Sequence, residues 1–126
     1  AFIGLRMVDR LDEYAGNRNF NFLLYNRKIK NTILDLTVNS EDFISNFAMP
    51  VVCKNKEDVI KRLRENNIEV RPLIAGNMVN KPMWYERYPK VSLPNAELID
   101  MYGFYLPNHQ DLTIDDIEKI TKIINE

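Results

Sequence analysis

The sequence predicts an α/β fold of the two-layer α+β type, in which helices cover a short sheet mainly on one face. Isoleucines recur at helical spacing from Ile114 to the C-terminus, which is typical of a helix packed on a sheet. The run 47–53 has the apolar and β-branched content of a buried strand. Helical and strand patterns alternate along the 126 residues, a length typical of one domain, so we expect a single domain over 1–126.

The first quarter of the chain predicts one long helix over residues 1–31. Apolar residues begin at Phe2 and recur in steps of three and four as far as Ile29. Gly16 and Asn17 are weak helix formers, so a kink or break is predicted near them. No capping residue precedes the pattern, and we therefore expect the natural polypeptide to continue upstream.

The remaining elements are predicted from apolar runs and from capping signals. Pro50 places the strand at 47–53 at an edge or a bulge of the sheet. Asn55 indicates the start of a helix, and Asn66-Asn67 indicates its end, because asparagine tolerates the left-handed conformation of a helix terminus. The elements predicted after it are a short strand at 68–70, a loop at 80–94, a short helix at 95–100, a strand at 102–106, and a last helix that begins with a capping box of Thr113 and Asp116.

Composition excludes several classes of function. The 17 basic and 18 acidic residues give a net charge of -1 with no basic tract, so no nucleic-acid partner is expected. A single cysteine, Cys53, and a single histidine, His109, leave no internal disulfide and no cysteine or multi-histidine metal site. No apolar run approaches the ~20 residues of a membrane span, so we expect a soluble, cytoplasmic protein that contacts no membrane.

The segment 71–84, R-P-L-I-A-G-N-M-V-N-K-P-M-W, concentrates groups that suit an anionic, hydroxyl-rich ligand. Arg71 offers forked donors to a phosphate or carboxylate, and the Asn77 amide can pair with hydroxyls. Trp84 and Tyr85 add aromatic surface for a pocket wall. The same residues also fit a structural role, with Arg71 as a solvated charge, Asn77 in a turn and Trp84 in the core, and spacing alone favours that role.

A second polar loop, 106–110 (L-P-N-H-Q), follows a predicted strand and precedes the capped helix. Polar residues at a strand end are common in binding sites, which makes Asn108 and His109 candidates for ligand contact. Asn108 and Gln110 also fit a simple turn, and a lone histidine is more often a surface residue than a catalyst. Periodicity does not decide between these interpretations.

Three segments together resemble the DegT/DnrJ/EryC1/StrS family of PLP-dependent sugar aminotransferases and dehydrases. They are the opening A-F-I-G-L-R-M-V-D-R-L-D-E-Y with N-R-N-F-N-F, the middle R-P-L-I-A-G-N-M-V-N-K-P-M-W, and the closing Y-G-F-Y-L-P-N-H-Q-D-L-T-I-D-D-I. The resemblance covers essentially the whole chain and is confined to the family's C-terminal small domain. The R-P-x-x-A-G-N form is more similar to the sugar 3-dehydrases than to the aminotransferases, whose loop carries a histidine where Asn77 stands here.

The resemblance implies the small domain of an aspartate-aminotransferase-like (type I) PLP enzyme that transfers an amino group to a nucleotide sugar or removes a hydroxyl from one. Arg71 and Asn77 are then the best candidates for the substrate pocket, Asn108 and His109 a second pair, and Trp84 and Tyr85 its wall. The PLP-linked lysine or the histidine base is expected upstream, so no catalytic residue is assigned here. The expected partners are a nucleotide sugar, the large PLP domain of the same chain and a second subunit. Residues 1–31 are expected to form the helix that joins the small domain to the large one.

Two other classes of function remain open on the sequence alone. A non-catalytic α/β module for dimerisation or ligand binding fits the missing nucleophile and cofactor motifs equally well. A stand-alone hydrolase would need a nucleophile and a base that one histidine and one cysteine do not supply.

Overall fold

The computed structural model describes residues 2–126, so that Ala1, the first residue of the predicted long helix, lies outside the described residues. Within them, no helix has the length and apolar character that crossing a membrane requires. The elements are α1 (Phe2–Val8), α2 (Leu11–Lys28), β1 (Ala48–Val52), α3 (Lys56–Glu65), β2 (Arg71–Pro72), a 3₁₀ helix (Met78–Asn80), α4 (Pro82–Tyr85), α5 (Pro94–Tyr102), β3 (Gly103–Pro107) and α6 (Ile114–Asn125).

The three strands form an antiparallel sheet in the order β1-β3-β2, so the last strand in sequence lies in the middle. Ala48 pairs with Pro107 at one end of the β1–β3 ladder, and Val52 pairs with Gly103 at the other. Pro50 lies in β1, an edge strand, as predicted, because proline has no backbone N–H to donate to a neighbouring strand. β2 contributes only two residues, of which Arg71 pairs with Tyr105.

The hydrophobic core lies between one face of the sheet and the helices α2, α3 and α6. Alternate strand residues point into it, as the two-residue period of a strand requires. This confirms the predicted two-layer arrangement with helices mainly on one face. The buried apolar side chains that form it are Phe22 and Tyr25 from α2 and Ile29 just after it, Met49 and Val51 from β1, Cys53 just after it, Val59 and Leu63 from α3, Val70 just before β2, Phe104 and Leu106 from β3, and Ile117, Ile120, Ile123 and Ile124 from α6.

The other face of the sheet is covered only in part. α5 packs against β3, and Leu34, Leu73 and Ile99 border a shallow depression over Pro50 and Tyr105. Gly103 is needed where α5 meets β3, because a Cβ there would lie 2.2 Å from a Leu73 methyl carbon and 2.4 Å from the Ile99 carbonyl oxygen.

The predicted long helix over 1–31 is two helices. The break falls at Asp9-Arg10, whereas Gly16 and Asn17, where a break was predicted, lie inside α2. Arg10 leaves helical geometry and pairs with Glu13 at 2.9 Å, and no residue of α1 is buried, so no packing within the described residues holds the two helices in line. Asn17 stays helical because α2 packs on the core and ends only at Lys28.

The strand predicted at 68–70 forms later, at Arg71–Pro72. The reason is the end of α3, where Asn67 adopts the left-handed conformation (φ 61°) predicted for this terminus. The Asn67 N–H donates to the Arg64 carbonyl at 3.0 Å and the Ile68 N–H to the Leu63 carbonyl at 2.9 Å, which is the Schellman pattern. The Ile68 N–H is thereby committed to the helix and pairs with no strand.

The predicted capping box at the start of α6 is present. The Asp116 N–H donates to the Thr113 hydroxyl oxygen at 3.1 Å, and the Thr113 N–H donates to the Asp116 carboxylate at 3.0 Å. The Thr113 hydroxyl also donates to the Asp116 carboxylate, at 2.6 Å. This bond from the hydroxyl and then the bond from the Thr113 N–H lower the pKa of the Asp116 carboxyl below its ordinary value of 3.8. Because the folded-state pKa lies below the unfolded one, the stabilisation is complete above 3.8 and is lost as the pH falls through the folded value.

We therefore predict that Thr113→Ala lowers the free energy of unfolding of the intact protein by about 1 kcal/mol at neutral pH, the usual loss for a removed N-cap. The difference from wild type should narrow in acid, since protonated Asp116 no longer accepts these bonds. Urea unfolding at neutral and acidic pH measures both effects. Thr37→Ala, at an exposed position before β1, is the matched control and should change stability by less than about 0.5 kcal/mol. A free energy of unfolding equal to that of the wild type for Thr113→Ala would contradict the role of the capping box.

Candidate functional site

A cleft of about 260 Å³ lies where β3 ends. Both neighbours of β3 run antiparallel to it, so the start of β1 lies beside its last residue, Pro107, and the start of β2 lies beside its middle residue, Tyr105. The strand order therefore brings three distant parts of the chain to one edge of the sheet. The cleft is lined by Phe47, Ala48, Glu69, Arg71, Tyr105, Leu106, Pro107, Asn108 and His109.

Arg71 reaches the cleft from the first residue of β2. Its side chain is 76% exposed, and its Nε donates to the Glu69 carboxylate at 2.9 Å. Glu69 is also mostly exposed, and such surface ion pairs contribute little to stability because water screens them. The guanidinium is therefore available to an anion that enters the cleft.

Residues 107–110, here called the exit loop, begin with the last residue of β3 and form the other side of the cleft. His109 is half exposed, and its Nδ1 accepts a hydrogen bond from the Asp111 N–H at 3.3 Å. In the neutral imidazole this leaves the proton on Nε2, which can donate to an oxygen of a ligand. His109 is thus the member of the predicted second pair that is accessible.

Asn108, by contrast, is 1% exposed and connects parts of the fold. Its Nδ2 donates to the Arg18 carbonyl at 3.2 Å, to the Asn46 carbonyl at 3.0 Å and to Asn46 Oδ1 at 2.8 Å. Its Oδ1 is buried and has no hydrogen-bond partner among residues 2–126. Although Asn108 borders the cleft, its amide group ties the exit loop to α2 and to the segment before β1.

The structure separates Asn77 from Arg71. Asn77 is 2% exposed, does not line the cleft, and caps the 3₁₀ helix by accepting the Val79 N–H at 3.3 Å on its Oδ1. The residue before it, Gly76, has φ +56°, and a Cβ there would lie 1.9 Å from an Asp100 carboxylate oxygen. Gly76 thus allows close approach of another group, and in this structure that group is the Asp100 carboxylate of α5.

Trp84 and Tyr85 also lie apart from the cleft. Trp84 is half-buried and packs against Tyr88 with ring centroids 4.7 Å apart. Its Nε1 is buried and, like the Asn77 Nδ2, lacks an acceptor within the described part of the chain. Tyr85 borders a separate depression that Lys90, Ser92 and Glu97 also line. The six predicted site residues therefore fall into two groups, with Arg71, Asn108 and His109 in one and Asn77, Trp84 and Tyr85 in the other.

Sequence reasoning missed the aromatic wall of the cleft and the helix behind it. Phe47 and Tyr105 meet edge to face, with centroids 5.8 Å apart. Both belong to predicted strands. Tyr105 alternates with the core residues Phe104 and Leu106, which could have placed it on the side opposite the core, whereas Phe47 has the same strand parity as the core residues Met49 and Val51 and gave no such signal. The polar side chains of α2 that hold the exit loop gave no sequence signal, because their partners are backbone carbonyls about ninety residues further along the chain.

The cleft does not fit PLP as a complete site. Its lining residues, taken from 2–126, include no lysine amine to attach the cofactor and no aspartate to face its ring nitrogen. The same residues bring no three histidine, cysteine, aspartate or glutamate side chains together in a way that would hold a metal ion. Cys53 is buried in the core, and burial raises the pKa of its thiol, so it supplies no ready nucleophile.

Comparison with known proteins places the chain in a family. The model of the DegT/DnrJ/EryC1/StrS aminotransferase family matches residues 1–125, and the chain belongs to this family. GDP-4-keto-6-deoxy-D-mannose 3-dehydratase of Escherichia coli O55:H7 is 26% identical to it over 97% of this chain and 34% of the relative. The chain thus spans about a third of the length of this relative.

Solved structures confirm the predicted fold. A crystal structure of GDP-4-keto-6-deoxymannose-3-dehydratase with a trapped PLP-glutamate geminal diamine superposes with a TM-score of 0.79 at 22% identity, over 97% of this chain and 34% of the other. A DegT DnrJ EryC1 StrS aminotransferase from Brucella abortus superposes with a TM-score of 0.81 at 18% identity, over 95% of this chain and 32% of the other. The fold is that of about one third of a PLP-dependent aminotransferase or dehydratase.

We predict that Asn108→Ala lowers the free energy of unfolding of the intact protein by about 2 kcal/mol, because three partly buried acceptors lose their shared donor. The neighbouring His109→Ala is the matched control. Its side chain is half exposed, so the change should stay within about 0.5 kcal/mol. Equal stabilities for the two variants in urea unfolding would show that the Asn108 amide does not hold the loop.

Proposed function

We propose that this chain is the substrate-facing small domain of a PLP-dependent enzyme that removes the 3-hydroxyl from a nucleotide-linked 4-keto-6-deoxyhexose. The observation that supports it most is the convergence of Arg71 and the exit loop on one cleft, although they are far apart in sequence. The relative from Escherichia coli bears the name of such a dehydratase. The R-P-x-x-A-G-N segment favours this activity over simple amino transfer.

The lining of the cleft suits part of a sugar nucleotide. The Arg71 guanidinium offers paired N–H donors to a diphosphate oxygen, and His109 Nε2–H offers a donor to a hydroxyl or phosphate. Phe47 and Tyr105 provide apolar surface for a sugar or base. At about 260 Å³ the cleft is smaller than pockets that enclose a ligand of this size, which supports its role as one wall of a larger site.

We assign the segment with Asn77, Trp84 and Tyr85 to the border of the same larger site. The support is the pair of buried N–H groups, on Asn77 and Trp84, that have no acceptor in the part of the chain described here. Buried donors are almost always satisfied, so an acceptor from substrate or from the rest of the protein is expected for each. Asn77 then both shapes its loop and offers Nδ2.

The cofactor itself is assigned to the rest of a longer protein, since the cleft lacks the groups that would attach it. PLP, when bound, supplies the electron sink for the reaction. The residues of this chain bind and orient the nucleotide sugar beside it and exclude water.

The exposed surface supports one of the proposed partners. In α1 the side chains of Phe2, Ile3, Leu5 and Val8 are all exposed, an apolar face that a soluble protein normally covers. We assign this face to packing against the large PLP domain of the same polypeptide. We further propose a cytoplasmic homodimer that uses no nucleic acid and no membrane.

A non-catalytic α/β module for dimerisation or ligand binding is the competing function. Only the enzyme should carry a bound PLP chromophore, so an absorbance spectrum of the purified full-length protein distinguishes the two.

We predict that Arg71→Ala in the full-length protein weakens binding of GDP-4-keto-6-deoxy-D-mannose by more than ~1 kcal/mol, the contribution of a hydrogen bond to a charged group. Isothermal titration calorimetry measures the change. Arg64→Ala, an exposed arginine on α3 outside the cleft, is the matched control and should bind as wild type does. Equal affinities for the two variants would remove Arg71 from the substrate site.

A further inference from the structure

Every residue of the exit loop is hydrogen-bonded to α2. The Tyr25 hydroxyl donates to the Pro107 carbonyl at 3.1 Å, and Asn21 Nδ2 donates to the His109 carbonyl at 3.0 Å. Asn17 Nδ2 donates to the Gln110 carbonyl at 3.4 Å, and Asn108 returns a bond to the Arg18 carbonyl. Three side-chain donors of one helix thus hold three backbone carbonyls of the loop.

The three donors lie four residues apart and therefore share one face of α2. Asn21 and Tyr25 are almost fully buried, with exposed fractions of 3% and 0%. A buried polar group is tolerated only where it is hydrogen-bonded, so each donor fixes the carbonyl that it contacts. Burial also raises the pKa of the Tyr25 hydroxyl, which keeps it protonated and able to donate.

We infer that Asn21 and Tyr25 are positioning residues for the substrate site. They hold the exit loop against α2 by its carbonyls, so that the His109 side chain and the start of the loop present a fixed surface to the cleft. This inference rests on the proposed role of the cleft in binding the nucleotide sugar. A loop held in this way loses little conformational freedom when a ligand binds, and affinity gains accordingly.

The contacts around His109 show how Asn21 controls the position of the His109 side chain. The Leu112 N–H donates to the same His109 carbonyl that Asn21 holds, at 3.3 Å, and the Asp111 N–H donates to His109 Nδ1. Without Asn21 the carbonyl loses its buried donor, and the orientation of residue 109 depends on these two longer bonds alone. The imidazole then samples positions away from the cleft.

The same helix provides a matched control. Asn26 also uses its Nδ2 to hold a distant carbonyl, that of Leu36, at 3.1 Å. It lies on α2 and has the same chemistry, but it contacts neither the exit loop nor the cleft. A general weakening of α2 should follow from either substitution, whereas an effect on the cleft should follow only from Asn21.

The test compares Asn21→Leu and Asn26→Leu in the full-length protein, with GDP-4-keto-6-deoxy-D-mannose as the probe. Hydrogen exchange of the Asp111 and Leu112 amides reports the loop, and steady-state kinetics reports KM and kcat. For Asn21→Leu we expect exchange to accelerate roughly fivefold and KM to rise roughly fivefold, the effect of one lost hydrogen bond, with kcat changed less than about twofold. Asn26→Leu should change neither the exchange nor KM.

Tyr25→Phe is the second variant, since it removes only a hydroxyl and keeps the core packing should Asn21→Leu fail to fold. We expect the same faster exchange and higher KM from Tyr25→Phe, because the Pro107 carbonyl loses its donor. Wild-type exchange and KM in the variants that fold would overturn the inference. Faster exchange with an unchanged KM would also overturn it, and if Arg71→Ala still weakens substrate binding, the proposed function remains intact. If Arg71→Ala binds the substrate as wild type does, the proposed function itself fails.

Discussion

The antiparallel pairing of β3 with both of its neighbours is the constraint on which the candidate site depends. Because β1 and β2 both run opposite to β3, the register that pairs Ala48 with Pro107 and Arg71 with Tyr105 places three chain segments at one end of the sheet. The cleft is a consequence of strand order, and the side chains only determine what it can bind. Any change that shifts the register would separate the Arg71 guanidinium from the His109 imidazole.

The two faces of the domain are unequal in a way that fits a piece of a larger enzyme. The face with α2, α3 and α6 has a closed apolar core, and the end of α2 is tied to α6 by Asn125, which accepts from the Lys30 N–H and donates to the Lys28 carbonyl. The opposite face and α1 leave large apolar side chains in contact with solvent. Exposed apolar surface of this kind marks an interaction site. About two thirds of the length of the relatives lies outside this chain, which is consistent with a missing partner for this surface.

Local patterns predicted the elements whose stability is local or periodic. The capping box of α6, the edge strand with Pro50 and the left-handed Asn67 all follow from a few neighbouring residues. Two features could not be predicted from local sequence. The division of the first helix depends on which of its residues pack on the core, and the late start of β2 depends on the Ile68 N–H, which bonds to the end of α3. The same limit applies to Asn108, whose turn-like sequence does not reveal three acceptors on distant segments.

The central claim is that the cleft at the end of β3 forms one wall of the substrate site. A crystal structure of the full-length protein with a GDP-linked 4-keto-6-deoxy sugar bound tests it most directly. The account predicts an oxygen of the ligand within ~3 Å of an Arg71 nitrogen, with the exit loop in contact with the sugar nucleotide. A ligand seated beside the cofactor while this cleft stays open to solvent would contradict it.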